Sequence, residues 1–155
     1  MKLYVVRHAA AGSRSAWTGD DRLRPLSKKG RRQAAELAEL LADAGLERLV
    51  SSSYVRCIQT LEPLAERTGS EVEIDDRLAE GSDGAAALQL AEELRDAGVR
   101  AAALCSHGDV VPELLSLLKV TGTAFHQPLV WPKGSVWALN SNGTHWTDAE
   151  LLTRA

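Results

Sequence analysis

The sequence predicts an α/β fold: a three-layer α/β/α sandwich whose central sheet is mostly parallel and carries an antiparallel edge hairpin at the C-terminus. Three observations carry this. Short apolar runs at Leu3–Val6, Leu49–Val50 and Ala101–Leu104 are separated by stretches with apolar residues at helical spacing, the alternation that builds a parallel sheet with helices on both faces. Each run is apolar without a gap, as a strand covered on both sides must be. The end of the chain instead alternates on either side of Asn140-Ser141-Asn142-Gly143, and Asn-Gly between alternating runs marks a hairpin.

The elements follow in order. After the first strand, Ala9 to Leu26 has no sustained period and is rich in Gly, Ser, Asp and Arg, so it predicts a long loop at a strand's active end. Ser27 caps a helix over Lys28–Ala44 with Ala34, Leu37, Ala38 and Leu41 on one face and Gly45 as its stop. Leu46–Ser51 reads as the second strand. Ser52 or Ser53 is expected to cap a helix to about Arg67, closed by Gly69 and bent at Pro63. Val72–Ile74 is a short strand, and Asp75–Gly84 a polar loop carrying Glu80. Ala85–Ala97 predicts a helix through Leu88, Ala91 and Leu94 that stops at Gly98. Ala101–Ser106 is the next central strand, followed by a helix from Gly108-Asp109 to about Val120, with Pro112 in its first turn where proline is tolerated. Thr121–Gly134 shows no period, and Ser135–Leu139 pairs with Thr144–Thr147 as the hairpin.

Composition narrows the class. With 155 residues, 45% apolar and 25% charged, residues 1–155 have the length and balance of one globular domain that buries a real core. A net charge of −3 and a pI near 5.8 argue against duplex nucleic acid as a partner, because that binding rests on positive charge. Cys57 and Cys105 have neither the number nor the spacing of a disulfide framework or a zinc site, which points to a reducing compartment. No apolar run approaches the roughly 18 to 20 residues of a membrane span, and Arg7 interrupts the short apolar N-terminus. A cytoplasmic protein without a membrane partner is expected. There is no internal repeat, linker or low-complexity segment.

The chemistry gathers at strand ends. The first strand runs straight into Arg7-His8, Arg56 falls just past the second, and Ser106-His107-Gly108 ends another. Ligands of open α/β sheets sit at the carboxyl ends of the strands, so two arginines and two histidines are predicted to meet at one edge. A lone histidine at a strand end is most often structural; the four together are not. Competing motifs are absent: the sequence has no G-x-x-x-x-G-K-[ST], H-E-x-x-H or G-x-S-x-G, and Val111 stands where a cysteine phosphatase loop starting at Cys105 needs arginine. His126 and His145 match nothing and read as structural or surface residues.

On these residues the chain resembles the histidine phosphatase superfamily (phosphoglycerate mutase-like), and among its branches it is most similar to the small SixA-type phosphohistidine phosphatases. The matching pieces are Arg7-His8, Arg24-Pro25-Leu26-Ser27 with Gly30, Ser51-Ser52 with Arg56 and Gln59-Thr60, Leu78-Ala79-Glu80, and Ser106-His107. They span most of the chain in the family's order. The resemblance implies that His8 is transiently phosphorylated, that Arg7, Arg56 and His107 form the phosphate pocket, and that neither a metal ion nor a cofactor takes part. The residue types suit that chemistry. Two guanidinium forks neutralise equatorial oxygens and disfavour a proton on a neighbouring imidazole, leaving His8 in the neutral form a nucleophile needs. His107 and the backbone N–H groups from Gly108 onward donate where negative charge develops.

Glu80 is the expected general acid, with Asp20 and Asp21 in the first long loop as alternatives. A SixA-like protein phosphohistidine phosphatase is the favoured reading, because Glu71–Ala85 is too short to supply a lid and an open pocket suits a phosphate on a protruding side chain. The alternative is a phosphatase of small phosphomonoesters or nucleotides. It draws on Trp17, whose loop looks like that of histidine phosphatase domains fused to Nudix domains and whose indole reads either as a platform for a nucleobase or as an anchor for its loop. An inactive fold that binds anionic partners is the reading from another class. Lys28, Lys29, Arg31 and Arg32 crowd a helix start, where the macrodipole disfavours cations; they read either as a solvated basic face or as steering for an anionic substrate.

Overall fold

Alternation along the first strand decides the layering: Leu3 and Val5 pack into one buried cluster and Tyr4 and Val6 into another, on opposite sides of the sheet. The computed structural model describes residues 1–153. The elements are β1 (Lys2–Arg7), α1 (Lys28–Leu41), β2 (Arg48–Ser51), α2 (Val55–Thr68), β3 (Val72–Ile74), α3 (Gly84–Asp96), β4 (Ala101–Ser106), α4 (Val110–Val120), β5 (Ala124–Phe125), β6 (Val136–Ser141) and β7 (Trp146–Leu151). The seven strands run in the order β3-β2-β4-β1-β6-β7-β5. Strands β1, β2, β3 and β4 are parallel, while β6 and β7 add the antiparallel hairpin beside β1.

Helices α1 and α2 supply Leu37, Leu41, Leu61 and Leu64 to the layer under Tyr4 and Val6, and α3 and α4 supply Leu90, Leu94, Leu114 and Leu118 to the opposite layer. That division positions the site. The chain leaves β1 toward α1 on one face and leaves the adjacent β4 toward α4 on the other, so the carboxyl ends of β1 and β4 flank a topological switch point where a crevice opens. Arg7 and Ser106 are register partners there.

Several boundaries differ from expectation. Helix α1 ends at Leu41, and a turn over Ala42–Ala44 precedes Gly45 at φ 68°. Neither Ser52 nor Ser53 caps α2, which starts at Val55 behind Tyr54 with no side-chain cap; Ser52 is committed elsewhere, to His107. Helix α2 runs from Val55 to Thr68 with Pro63 inside it, as the expected end near Arg67 requires. The aperiodic stretch after α4 contains the two-residue strand β5, which pairs with β7, and β7 itself extends to Leu151. A strand of two residues leaves no period to read.

Candidate active site

Strand ends, one helix turn and one loop converge on an open cleft of about 420 Å³ lined by Arg7, His8, Arg14, Glu80, Gly108 and Lys133 among others. His8 N–H donates to the Ser106 carbonyl at 2.9 Å, so β4 fixes the nucleophile's backbone directly. The next residue is tied to α2: Ala9 N–H donates to Thr60 Oγ1 at 3.0 Å, and the Thr60 hydroxyl donates to the Arg56 carbonyl at 2.7 Å. Gln59 accepts from Leu26 N–H at 2.8 Å and Gln33 from Ala10 N–H at 2.8 Å. The Gln59-Thr60 pair is therefore the strut that sets both ends of the Ala9–Leu26 loop against α2.

Two glycines permit close approaches, one to backbone that no side chain tolerates and one to a guanidinium that a side chain would displace. A Cβ on Gly30 would lie 1.8 Å from the Ala10 carbonyl oxygen, so α1 can press against the segment behind His8 only at glycine. A Cβ on Gly108 would lie 2.6 Å from the Arg7 guanidinium, which lies over that backbone.

The His8 ring is oriented by Nδ1, which lies 2.8 Å from the Ala9 carbonyl oxygen. A carbonyl only accepts, so Nδ1 carries the proton and Nε2 presents a lone pair. Burial, aided by the charges of His107, Arg56 and Arg7 and opposed by the Ala9 carbonyl, pushes the His8 pKa down to about 3. The imidazole is neutral at any ordinary pH, as a nucleophile requires.

This has a consequence for stability. The unfolded chain binds the His8 proton near pH 6.5 while the folded chain binds it only near pH 3, so stability falls as the pH drops through that window. The loss from this one group is at most about 1.4 kcal/mol per pH unit. His8→Asn should therefore flatten the acid side of the stability curve, read as unfolding free energy from urea titrations at several pH values from neutrality to mild acid. An acid dependence equal to that of the wild type would mean the imidazole is not held neutral.

His107 faces His8 edge-on with ring centroids 5.4 Å apart, and it is buried. Ser52 Oγ accepts the Tyr54 N–H at 3.2 Å and lies 2.9 Å from His107 Nε2. Nδ1 of His107 is buried with no partner among the described residues. Cys57 Sγ sits 3.4 Å from the same Nε2, and Tyr54 packs edge-on against the ring.

Arg56 is fully buried. Its Nη1 donates to the Asp21 carbonyl at 3.0 Å, while Nη2 reaches Glu80 Oε2 at 3.3 Å and Asp21 Oδ2 at 3.2 Å. Tyr54 stacks beneath the guanidinium with 4.9 Å to its centroid. Arg7 donates through Nη1 to the Trp131 carbonyl at 2.9 Å. The Nε atoms of Arg7 and Arg56 are buried and unpartnered among the described residues. Two cationic nitrogens and one imidazole nitrogen without partners thus lie around one neutral imidazole, with Arg56 and His107 buried behind the residues that line the cleft. A polyoxyanion is the kind of ligand such groups suit.

The structure brings Arg7, His8, Arg56, His107, Gly108 and Glu80 together as expected from sequence. Asp21 joins them through Arg56 and Arg24, whereas Asp20 caps a short turn and pairs with Arg22. Trp17 does not line the cleft itself: its Nε1 donates to the Asp20 carbonyl at 3.0 Å, and its ring lines an adjoining hollow that shares Gly12, Ser13 and Arg24 with the cleft. Lys28, Lys29, Arg31 and Arg32 are exposed and do not line the cleft. His126 pairs with Asp148 and His145 lies exposed beside Thr144, both away from the site.

Sequence reasoning missed Arg14, Arg24, Asp109 and Lys133 as cleft residues. Arg24 sits inside a matched motif, which was its only signal. Lys133 had none, because the Thr121–Gly134 stretch reaches the site only through the pairing of β6 with β1.

A neutral imidazole with a free Nε2, beside buried guanidinium groups at the switch point of an α/β sheet, has the chemistry that phosphoryl transfer asks for. The model of the histidine phosphatase superfamily (branch 1) matches residues 3–97, and the chain belongs to that superfamily. An 8-oxo-(d)GTP phosphatase of Mycolicibacterium smegmatis is 33% identical over 151 residues, covering 96% of this chain and 47% of that protein. The chain thus spans less than half the length of that relative. Among solved structures, the protein histidine phosphatase SixA complexed with tungstate superposes with a TM-score of 0.78 at 20% identity, over 99% of this chain and 95% of that one. A mycobacterial glucosyl-3-phosphoglycerate phosphatase with VO3 gives 0.72 at 20% identity, over 98% and 97%. At such identities these two establish the shared fold. Among the described residues no helix is long and apolar enough to cross a membrane.

Proposed function

We propose that this chain is a phosphatase that transfers a phosphoryl group to His8 Nε2 and releases it to water. The observation that carries this is the Nδ1 contact of His8 with the Ala9 carbonyl, which leaves Nε2 free among the unpartnered nitrogens of Arg7, Arg56 and His107. The oxygen dianion is held by those groups while Nε2 attacks in line; the P–N bond forms as the bond to the leaving atom breaks. Water then attacks the phosphorus, the P–N bond breaks, and inorganic phosphate departs. No step is assigned to a metal ion or cofactor. Membership in the superfamily and the named activities of the relatives support the same reading.

For the substrate, the first choice is a small phosphorylated molecule whose leaving group is an oxygen. Glu80 favours this, since it places a carboxyl group in the same cleft as His8. Its ion pairs with Arg56 at 3.3 Å and Arg14 at 2.9 Å hold it as a carboxylate, so it takes up the proton it gives to the leaving oxygen only as a bound phosphoryl group draws those arginines to itself. An alkoxide needs a proton as it leaves, whereas the imidazole of a phosphohistidine is already a good leaving group. The 33% identical nucleotide phosphatase points the same way. A phosphohistidine protein is the second reading, supported by the openness of the cleft.

The two readings separate in one variant. Glu80→Gln keeps the shape and the acceptor for Arg14 but lacks the acid, and is expected to lower kcat on an alkyl phosphate by about 10²-fold or more. Turnover of a phosphohistidine peptide should fall much less. Equal losses on both substrates would remove Glu80 from the proton transfer, and a wild type active only on the peptide would establish the second reading.

A further inference from the structure

The donors around His8 suffice for one phosphoryl group, yet the cleft carries more cations than that. Arg14, Arg24 and Lys133 also line it; Arg24 is buried, while Arg14 and Lys133 are exposed. Arg24 is occupied by Asp21 Oδ1 at 2.8 Å and by the Gly12 carbonyl, and Arg14 by Glu80. Lys133 has no carboxylate within ion-pair distance among the described residues. Of the two acids lining the cleft, Glu80 is taken by Arg14 and Arg56, and Asp109 accepts the N–H groups of Gly81 and Val110, each at 2.8 Å.

Lys133 is also delivered to this place by a fixed backbone. The Trp131 carbonyl accepts from Arg7 Nη1 at 2.9 Å, and the Gly134 N–H lies 3.1 Å from the carbonyls of both Arg7 and His8. Ser135 N–H closes the turn onto the Pro132 carbonyl at 2.9 Å, and Gln33 donates to the Lys133 carbonyl at 3.3 Å. An ammonium held next to a ring of guanidinium groups, on a segment clamped to the nucleophile itself, is electrostatically unfavourable until an anion arrives. Burial, followed by the repulsion of Arg7, Arg24, Arg56 and Arg14, lowers the Lys133 pKa in keeping with that placement.

From this arrangement we infer that Lys133 forms a second anion subsite, so that the preferred substrate carries another anionic group next to the phosphoryl that is removed. The inference rests on the reading of the chain as a phosphatase of small molecules. A phosphoanhydride and a phosphorylated hydroxy acid both present that chemistry, the first as a second phosphate and the second as a carboxylate.

The test measures inhibition of p-nitrophenyl phosphate turnover at constant ionic strength by inorganic phosphate against pyrophosphate, and by methyl phosphate against 2-phosphoglycolate. In the wild type at least one of the two-anion compounds should bind about tenfold tighter than its single-anion counterpart, the size of a hydrogen bond to a charged group. Lys133→Gln should bring that ratio close to one, and Lys133→Arg should retain most of it. Preference for pyrophosphate identifies the second group as phosphate, and preference for phosphoglycolate identifies it as carboxylate. A wild-type ratio near one for both pairs, or a Lys133→Gln ratio equal to the wild type's, overturns the subsite while leaving the phosphatase reading intact. A wild type that turns over no phosphoester and binds none of the four ions overturns the phosphatase reading itself.

Discussion

His8→Ala is expected to lose turnover by roughly 10⁴-fold or more, the scale on which enzymes lose rate when a covalent nucleophile is removed, and to form no acid-labile phosphoryl adduct. The reason lies in the division of labour within one ring. Nδ1 is committed to the Ala9 carbonyl, so Nε2 is the only nitrogen left to attack. No neighbour can substitute. His107 Nε2 is engaged by Ser52, and Cys57, beside it, is buried under the ring. The measurement is rapid quench with a radiolabelled substrate, followed by acid and base treatment of the trapped protein. An alanine variant that still labels in an acid-labile form would place the intermediate on another residue.

Arg56→Ala carries the second largest expected effect, a fall of about 10² to 10³ in kcat, the size associated with one preorganised group that stabilises developing charge. The guanidinium is fully buried, stacked on Tyr54, and oriented by the Asp21 carbonyl and two carboxylates, so it needs no reorganisation at the moment of transfer. Arg56→Lys should recover little, because an ammonium cannot reproduce the planar fork. Removing the cation also leaves Asp21 and Glu80 facing each other's charge. Both are about one-third exposed, so water relieves much of that repulsion and the loss of Tm should be smaller than for a fully buried pair. A lysine variant within a few-fold of wild type would show that charge alone matters at this position.

In the proposed scheme Glu80 serves the leaving oxygen, and Lys133 bears on substrate choice. Trp17 is tied to its own loop at Asp20, in a hollow that adjoins the cleft through Gly12, Ser13 and Arg24. Around His8 itself lies charge: the unpartnered nitrogens that suit one phosphoryl group, and the further cations that line the cleft. That division distinguishes the two proposals experimentally, since the former govern whether any phosphate is transferred and Lys133 which carrier it comes from.

The residue pattern by itself determined the sheet, its helices, and the four groups at the heart of the site. Gapless apolar runs require strands covered on both faces, and a polar or charged residue that ends such a run must lie at the sheet's edge, so Arg7-His8, Arg56 and Ser106-His107 were legible as a cluster. Ser52 was read as a helix cap because serine before a helical pattern usually is one; only the approach of β4 to β2 shows that its hydroxyl goes to His107. The capping signal is local, and the competing partner lies 55 residues away in sequence. The unpartnered nitrogens of Arg7 and Arg56 and the arrival of Lys133 at the cleft likewise depend on contacts between segments that share no sequence period. Local propensity specifies where a chain turns and which face it buries. Which distant polar atoms meet is decided by the pairing of β6 with β1 and of β4 with its two neighbours, and that information exists only once the sheet has formed.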